Sequence, residues 1–167
     1  MADLVNSVGA PHATVLGVGA YRPSRIIPNS EVIEAIDSSD EWIQQRSGIK
    51  QRRWATAEET IQLMSVEASR QALDRAGLSG EQIDCVLVAT VSHLLQTPAI
   101  ATSIAHELGT NKAPALDISA ACAGFCYGVG LASDMVRAGS AKHVLVIGVE
   151  RLSDLTDVYD RGTAFIF

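Results

Sequence analysis

Two cysteines in a cluster of small residues are the strongest candidates for chemistry in this sequence. Cys122 and Cys126 lie in DISAACAGFCYG, residues 117–128, at the end of a run of strand length. A thiolate is a good nucleophile, and the start of a helix both stabilises it and offers N–H groups to an oxyanion. We predict that Cys122, at the expected strand-to-helix junction, is a nucleophile; the alternative is a small buried hydrophobic residue.

The other cysteines and one histidine complete the set of candidates. Cys126, one turn deeper, and Cys85, in the middle of a predicted strand, are interpreted as core packing. A cysteine nucleophile normally works with a base. Of the four histidines, only His93 follows a strand at the same predicted sheet edge as Cys122. A cysteine hydrolase that uses Cys122 and His93 is therefore one alternative function.

These residues must be held by alternating strands and helices. Apolar runs of strand length occur at 14–20, 83–90, 113–119 and 143–150, and 49–54 has the length of an edge strand. Helical patterns lie between them. The pattern predicts an α/β domain with a mainly parallel or mixed sheet, because strands without polar alternation are covered on both faces. The predicted helices are 29–48 as two short pieces, 60–76, 97–109 and 120–139.

Local signals set the expected helix boundaries. Asn29 and either Ser38 or Ser39 are candidate N-caps, and Gly48 closes the second short helix. The helix that carries Cys122 is apolar on nearly every side, which predicts that it is buried. Its small residues, Ala120, Ala121, Ala123 and Gly124, are expected to leave room for a substrate.

Composition and charge exclude several classes of function. The 167 residues are 47% hydrophobic and 19% charged, as expected of a globular domain. The net charge of −6 disfavours nucleic-acid binding, and no apolar run is long enough for a membrane span. The first residues show no secretory signal, so we expect a cytoplasmic protein without a disulfide framework.

Basic side chains nevertheless cluster early in the chain, where they suit phosphates or an acidic partner: Arg22, Arg25, Arg46, Lys50, Arg52 and Arg53.

At this point the sequence resembles a known family. DISAACAGFCYG is similar to the active-site signature of the β-ketoacyl-acyl carrier protein synthase III family, the condensing enzymes that initiate bacterial fatty-acid synthesis. Further stretches agree in order and spacing: GVGAYRP, SSDEWIQQRSGIKQR, HLLQTPA and YDRGTAFIF. The resemblance implies a thiolase-like fold, layered α/β/α with a mixed five-stranded sheet, of which residues 14–167 form about the first of two pseudo-repeats. Residues 1–13 are expected to be a tail.

The resemblance also implies roles for individual residues. Cys122 would accept the acyl group from an acyl-CoA primer. The coenzyme A would be bound by Trp42, Arg46, Arg161 and Ser38. The acyl pocket would include Thr97 and Phe165, with Thr97 at a homodimer interface. A threonine at this position leaves more volume than a phenylalanine, which predicts that the enzyme accepts longer or branched primers. An acidic carrier protein would dock on Lys50, Arg52 and Arg53.

The implied reaction joins the acyl group to malonyl-acyl carrier protein with loss of CO2, and it implies no cofactor and no metal. Its decarboxylation step uses a histidine and an asparagine from the C-terminal half, and neither His93 nor Asn111 matches them. We therefore expect residues 1–167 to need that second half. The alternatives within the fold are a polyketide priming ketosynthase, another acyltransferase, or a scaffold that binds acyl-CoA without turnover.

Overall fold

The computed structural model describes residues 8–110 and 112–167, so Asn111 and most of the expected tail lie outside the described residues. The chain forms two compact units. The first, here called the sheet unit, comprises the residues up to Tyr21 together with Ser65–Val149. The second, here called the hairpin unit, comprises Arg22–Met64 and Glu150–Phe167.

A parallel three-stranded sheet organises the sheet unit. Strand β3 (Cys85–Ala89) lies between β4 (Ala115–Ile118) and β5 (Val144–Gly148), and both pairings are parallel. The helices of this unit are α3 (Ile100–Glu107), α4 (Gly124–Ala138) and most of α2 (Ile61–Ala76). The apolar runs therefore form the parallel α/β arrangement that their sequence predicts.

The core of the sheet unit contains side chains from its strands and from two of its helices. Every residue of β3 is buried, as expected for a central parallel strand. Helix α2 faces this core with Val66 and Leu73, a spacing of seven residues that returns to the same helical face. The buried hydrophobic members of the cluster are Val66, Leu73, Ile83, Val86, Val88, Ala101, Ile104, Ala105, Leu145 and Ile147.

The hairpin unit has an antiparallel pair of short strands and one helix. Strand β1 (Arg25–Pro28) pairs with β2 (Gln51–Trp54), and α1 (Asp40–Ser47) lies between them in the chain. A second core contains Ile27 of β1 and Ile43 of α1, together with Val32, Ile36 and Ala164 from turns of this unit. The edge strand predicted at 49–54 is thus confirmed, as is the end of α1 at Gly48.

The strand arrangement differs from the predicted five-stranded sheet. The described residues hold five strands, but these are divided between the three-stranded and the two-stranded sheet. The run 14–20 is not a strand; it lies along α2, where an ideal Cβ on Gly17 or Gly19 would be 2.2 or 1.9 Å from a helix carbonyl oxygen. A side chain of that helix also bonds to this run: the Arg75 guanidinium donates a hydrogen bond to the Val18 carbonyl.

Two further expectations about helices are wrong. Asn29 is not an N-cap: it is the first residue of the short 3-10 turn Asn29–Glu31, and its side chain bonds elsewhere. Helix α4 is not buried in this chain, since Phe125 and Tyr127 are 50% and 58% exposed. One face of α4 packs on the sheet, and the described residues provide no second layer for the other face.

None of the helices within the described ranges has both the length and the apolarity that a bilayer span requires.

Candidate active site

Cys122 lies where strand β4 gives way to helix α4, as the sequence predicts. Strand β4 ends at Ile118, a single 3-10 turn covers Ala121–Ala123, and α4 begins at Gly124. The thiol is exposed. Cys122 thus lies at the carboxyl edge of a parallel sheet, directly before the N-terminal, positive end of a helix of 15 residues, and its thiol is accessible to a substrate.

The residue before Cys122 has an unusual backbone conformation. Ala121 has a φ of +46°, in the left-handed region that costs an L-residue about 1–2 kcal/mol. Strained backbone of this kind is found more often at functional sites than elsewhere. This conformation falls in the segment that joins β4 to α4, directly before Cys122.

Two glycines set the distance between α4 and the sheet. A Cβ on Gly124 would be 3.0 Å from the Cβ of Ala89, and one on Gly128 would be 2.9 Å from a methyl carbon of Val146. Both glycines are buried. Gly124 therefore serves close packing of the helix on β3, whereas the sequence interpretation assigned it to substrate space.

The other two cysteines differ from each other in burial. Cys85 is buried in β3, and this burial raises the pKa of its thiol, as expected of a core residue. Cys126 is exposed, so its interpretation as core packing is wrong for this chain. It belongs to the face of α4 that the sheet does not cover.

His93 does not form a catalytic pair with Cys122. Its Nε2 lies 3.3 Å from the carbonyl oxygen of Pro98, and within the described part of the chain no hydrogen bond joins it to Cys122. The hydrolase alternative, which requires such a dyad, receives no support from this geometry.

Asp117 is a structural residue of this edge that the sequence interpretation missed. Its carboxylate accepts hydrogen bonds from the backbone N–H of Ile100 at 2.8 Å and of Ala101 at 2.9 Å. The N-cap residue of α3, Ala99, has no side chain that could do this. An acidic residue in the apolar strand sequence ALDI was the signal that could have revealed this role.

In the hairpin unit, two arginines stack on one indole. The guanidinium carbons of Arg46 and Arg161 lie 4.7 and 4.6 Å from the centroid of the Trp42 ring. The same ring makes a T-shaped contact with the ring of Phe165, at 5.1 Å between centroids. We call this group of four side chains the indole platform. A flat aromatic face beside two guanidinium groups suits a purine that carries phosphates.

Helix α1 carries two members of the platform, and its ends are well defined. The Ser39 hydroxyl accepts from the backbone N–H of Trp42 at 3.2 Å, which settles the choice between Ser38 and Ser39 as N-cap. Gly48 ends the helix with a φ of +74°. The Ser38 hydroxyl is buried, and it has no hydrogen-bond partner among the described residues.

The remaining predicted site residues divide into surface and interior positions. Lys50, Arg53 and Thr97 are exposed. Arg52 is only 9% exposed and donates to Asn29 and to the Phe165 carbonyl, so its assignment to a docking surface is wrong. Side chains alternate along β2, and this alternation directs Arg53 outward and Arg52 inward. Phe165 contributes to the indole platform, and its role in an acyl pocket stays a prediction.

A cysteine at the carboxyl end of a parallel strand, on a strained turn before a glycine-containing helix, is the arrangement of a thiolase-like condensing enzyme. Structural comparison agrees. The priming β-ketosynthase of a polyketide biosynthetic pathway superimposes with a TM-score of 0.94 and 47% identity over 98% of this chain. The 3-oxoacyl-[acyl-carrier-protein] synthase III of Aquifex aeolicus gives a TM-score of 0.88 and 41% identity over 91% of the chain. This chain covers 49% of each of those structures.

Sequence comparison identifies the family. The family model described as 3-oxoacyl-[acyl-carrier-protein (ACP)] synthase III matches residues 116–167. The β-ketoacyl-[acyl-carrier-protein] synthase III of Streptomyces glaucescens is 59% identical over the whole chain, and synthase III 1 of Streptomyces avermitilis is 64% identical over 95% of it. The chain belongs to the β-ketoacyl-acyl carrier protein synthase III family, and it spans about half the length of these relatives, 50% and 45%.

Proposed function

We propose that this chain provides the nucleophile and the coenzyme A recognition elements of a condensing enzyme that initiates fatty-acid synthesis. The observation that carries the proposal is the position of Cys122, exposed on a strained turn at the carboxyl edge of a parallel sheet. The complete activity is proposed for a polypeptide of the relatives' length, which we call the full-length enzyme.

In the first half-reaction, the Cys122 thiolate attacks the carbonyl carbon of an acyl-CoA thioester. The tetrahedral oxyanion collapses, the bond to the coenzyme A sulfur breaks, and that sulfur takes up a proton. The backbone N–H of Cys122 supplies one donor to the oxyanion, a contribution that backbone groups at helix starts make without reorganisation. The product is an acyl group bound to Cys122.

In the second half-reaction, malonyl-acyl carrier protein loses CO2, and the electrons of the broken C–C bond form an enolate. The enolate carbon attacks the acyl carbonyl, a C–C bond forms, and the Cys122 thiolate leaves. The enolate needs hydrogen-bond donors, and the family resemblance assigns these to a histidine and an asparagine outside this chain. We therefore propose that the second half-reaction requires the C-terminal half.

The indole platform is proposed to bind the nucleotide of coenzyme A. The Trp42 ring offers stacking to the adenine, and Arg46 and Arg161 offer cation–π contact and charge for the phosphates. Ser38, four residues before Trp42, is proposed to contact the same ligand, as the family resemblance implies. The exposed cations Lys50 and Arg53 are proposed to contact the acidic carrier protein.

The test combines mass spectrometry with product analysis. Full-length enzyme incubated with acetyl-CoA alone is expected to gain one acyl group on the peptide that contains Cys122. Addition of malonyl-acyl carrier protein is expected to discharge that group and to release one CO2 for each 3-oxoacyl product. Acylation without CO2 release would reduce the proposal to an acyltransferase, and the absence of acylation would contradict it.

A polyketide priming role is the second candidate, because a priming ketosynthase shares this fold at a TM-score of 0.94. The two functions share the Cys122 step and differ in the carrier protein that supplies the malonyl group. The value of kcat/KM with a fatty-acid carrier protein, measured against a polyketide carrier protein, separates them. A preference for the fatty-acid carrier supports the first proposal.

The acyl primer is proposed to extend beyond acetyl. Thr97 is exposed in this chain, as are its neighbours Leu94 and Leu95, which suits the proposed homodimer contact that closes an acyl pocket. A threonine leaves more volume there than a large aromatic side chain. Turnover of isobutyryl-CoA comparable with that of acetyl-CoA is expected, and Thr97→Phe is expected to suppress it. The proposed substrates, acyl-CoA and malonyl-acyl carrier protein, also support the proposed cytoplasmic location.

A further inference from the structure

Arg52 is a buried cation whose contacts lead toward the indole platform. Its Nη2 donates to Oδ1 of Asn29 at 2.7 Å and to the carbonyl oxygen of Phe165 at 3.1 Å. Its Nε and Nη1 are buried without a hydrogen-bond partner among the described residues. Burial lowers the pKa of the guanidinium. An apolar side chain would avoid this desolvation, so stability alone does not account for an arginine here.

Asn29 connects Arg52 to both ends of helix α1. Its amide nitrogen donates to a carboxylate oxygen of Asp40, the first residue of α1, at 2.6 Å. The same nitrogen donates to the carbonyl of Ile49, which follows the helix, at 2.8 Å. Asn29 is 2% exposed, so these bonds are protected from water. They fix the helix that carries Trp42 and Arg46.

Phe165 connects Arg52 to the segment that carries Arg161. Residues 161–166 form turns, with neither strand nor α-helix to hold them. The start of this segment is ordered by Asp160, which accepts from the Gly162 N–H and the Thr163 hydroxyl. Its end is held by packing of Ala164 and Phe165 and by the bond from Arg52 to the Phe165 carbonyl. The segment is thus shaped by local hydrogen bonds, among them those from the Thr163 and Ala164 N–H groups to the Asp160 carbonyl, and Arg52 supplies a hydrogen bond that ties it to β2.

We propose that Arg52 is a positioning residue for the nucleotide site: its guanidinium joins α1, through Asn29, to the turn segment 161–166, and thereby holds Arg161 against Trp42. The inference rests on the proposed function of the indole platform. It concerns affinity for the nucleotide part of the substrate. It gives Arg52 no part in bond making at Cys122 or in carrier-protein docking.

The test compares ligands with and without the nucleotide. Arg52→Met keeps a side chain of useful length and removes the hydrogen bonds, whereas Arg52→Lys keeps the interior cation. Calorimetry gives Kd for coenzyme A, which carries the nucleotide, and for 4′-phosphopantetheine, which lacks it. Comparison of the two Kd values separates the contribution of the indole platform from that of the rest of the site. For Arg52→Met we expect Kd for coenzyme A to rise about tenfold, the lower end of what loss of a charged hydrogen bond gives. Kd for 4′-phosphopantetheine should stay within about twofold, and Arg52→Lys should recover part of the affinity.

Gln51→Met is the matched control, because Gln51 is the preceding residue of β2, its side chain is exposed and it has no role in the proposed sites. It should leave Kd for coenzyme A unchanged. If Arg52→Met does not fold, Arg52→Lys keeps the test decisive, since it should still weaken coenzyme A more than 4′-phosphopantetheine. Equal weakening of both ligands in either variant would overturn the inference in favour of a general structural role.

Kinetics separates this inference from the proposed function. In the full-length enzyme, Arg52→Met should raise KM for acyl-CoA and leave kcat and the KM for malonyl-acyl carrier protein unchanged. A rise in the KM for the carrier protein alone would overturn the inference and restore Arg52 to the docking surface. Failure of the wild type to condense would contradict the proposed function, while the calorimetric comparison would still test Arg52.

Discussion

The sheet unit and the hairpin unit hold their functional groups by different means. In the sheet unit, Cys122 is placed by the backbone: a parallel strand ends, one strained turn follows, and a helix begins. In the hairpin unit, the indole platform is placed by side chains, because Arg161 lies in a turn segment that Arg52 and packing hold near α1. Backbone placement follows from local sequence, whereas side-chain placement depends on residues far apart in the chain.

This difference has a consequence for the effects of mutation. The substitution of a side chain around Cys122 leaves the strand-to-helix junction intact. The change in activity then reflects only the contacts that the removed atoms made. The substitution of a buried polar residue in the hairpin unit disturbs every group that it connects, because its partners lose their hydrogen bonds in a low-dielectric interior. The sheet unit should therefore show few but large functional effects, and the hairpin unit more numerous, moderate ones.

The largest effect is expected from Cys122→Ala, which removes the proposed nucleophile without changing the junction. Acylation should be undetectable, and condensation should fall by at least about 10⁴-fold. Intact mass after incubation with acetyl-CoA and the rate of 3-oxoacyl formation check this. Cys126→Ala, four residues further along the same helix, is the control and should keep its rate within about twofold; equal losses in the two variants would contradict the role of Cys122.

A smaller effect is expected from Trp42→Ala, which removes the stacking surface of the hairpin unit. The KM for acetyl-CoA should rise about tenfold or more, since stacking of a base on an aromatic ring contributes about 1–3 kcal/mol. The KM for malonyl-acyl carrier protein should not change. Trp54→Phe provides a control on the other tryptophan of this unit. Trp42→Ala with an unchanged KM for acetyl-CoA would show that the platform does not bind the nucleotide.

Asp117→Ala examines a side-chain contact within the sheet unit. Loss of the two hydrogen bonds to the start of α3 should lower the free energy of unfolding by about 1 kcal/mol, the usual cost of a lost helix cap. Urea unfolding measures this, and Asp134→Ala, an exposed position, is the control. A normal kcat is expected. A large loss of kcat would mean that side chains as well as backbone position Cys122.

The smallest effect concerns acid stability at the opposite end of the sheet. The backbone N–H groups of His143 and Lys142 donate to Asp84 and lower the pKa of its carboxyl. The unfolded chain then binds the proton more readily than the folded one, so the contribution is present above about pH 4 and is lost as pH falls through the lowered pKa. Urea midpoints of wild type and Asp84→Asn should converge between pH 6 and pH 3, and a constant difference would contradict this.

Much of the fold was predictable because its signals are local. The strands β3, β4 and β5, the helices between them and the glycine ends of α1 and α2 lie where the apolar runs and turn residues place them. The sequence of 14–20 did not reveal that this run would fail to form a strand. An apolar sequence of strand length forms a strand only if the edge of a neighbouring strand is free to pair with it. Here it lies on α2.

The site was predictable to a similar, partial extent. The position of Cys122 at a strand-to-helix junction followed from residue types, and the grouping of Trp42 with Arg46 and Arg161 followed from the family resemblance. The interior position of Arg52 was not, because a basic run gives no indication of which member faces the core until the register of the β1–β2 hairpin is known. The same applies to Cys126, whose exposure depends on which face of α4 meets the sheet.

The sequence alone determined the order of the elements, the junction that carries Cys122 and the family, because each rests on periodicity, capping residues or a contiguous motif. The tertiary structure decided which polar groups meet. It brought Asp117 to the start of α3. It also placed Arg52 between Asn29 and the carbonyl of Phe165, a residue 113 positions after Arg52 in the chain. Such contacts arise from the packing of distant segments, and no local pattern encodes them.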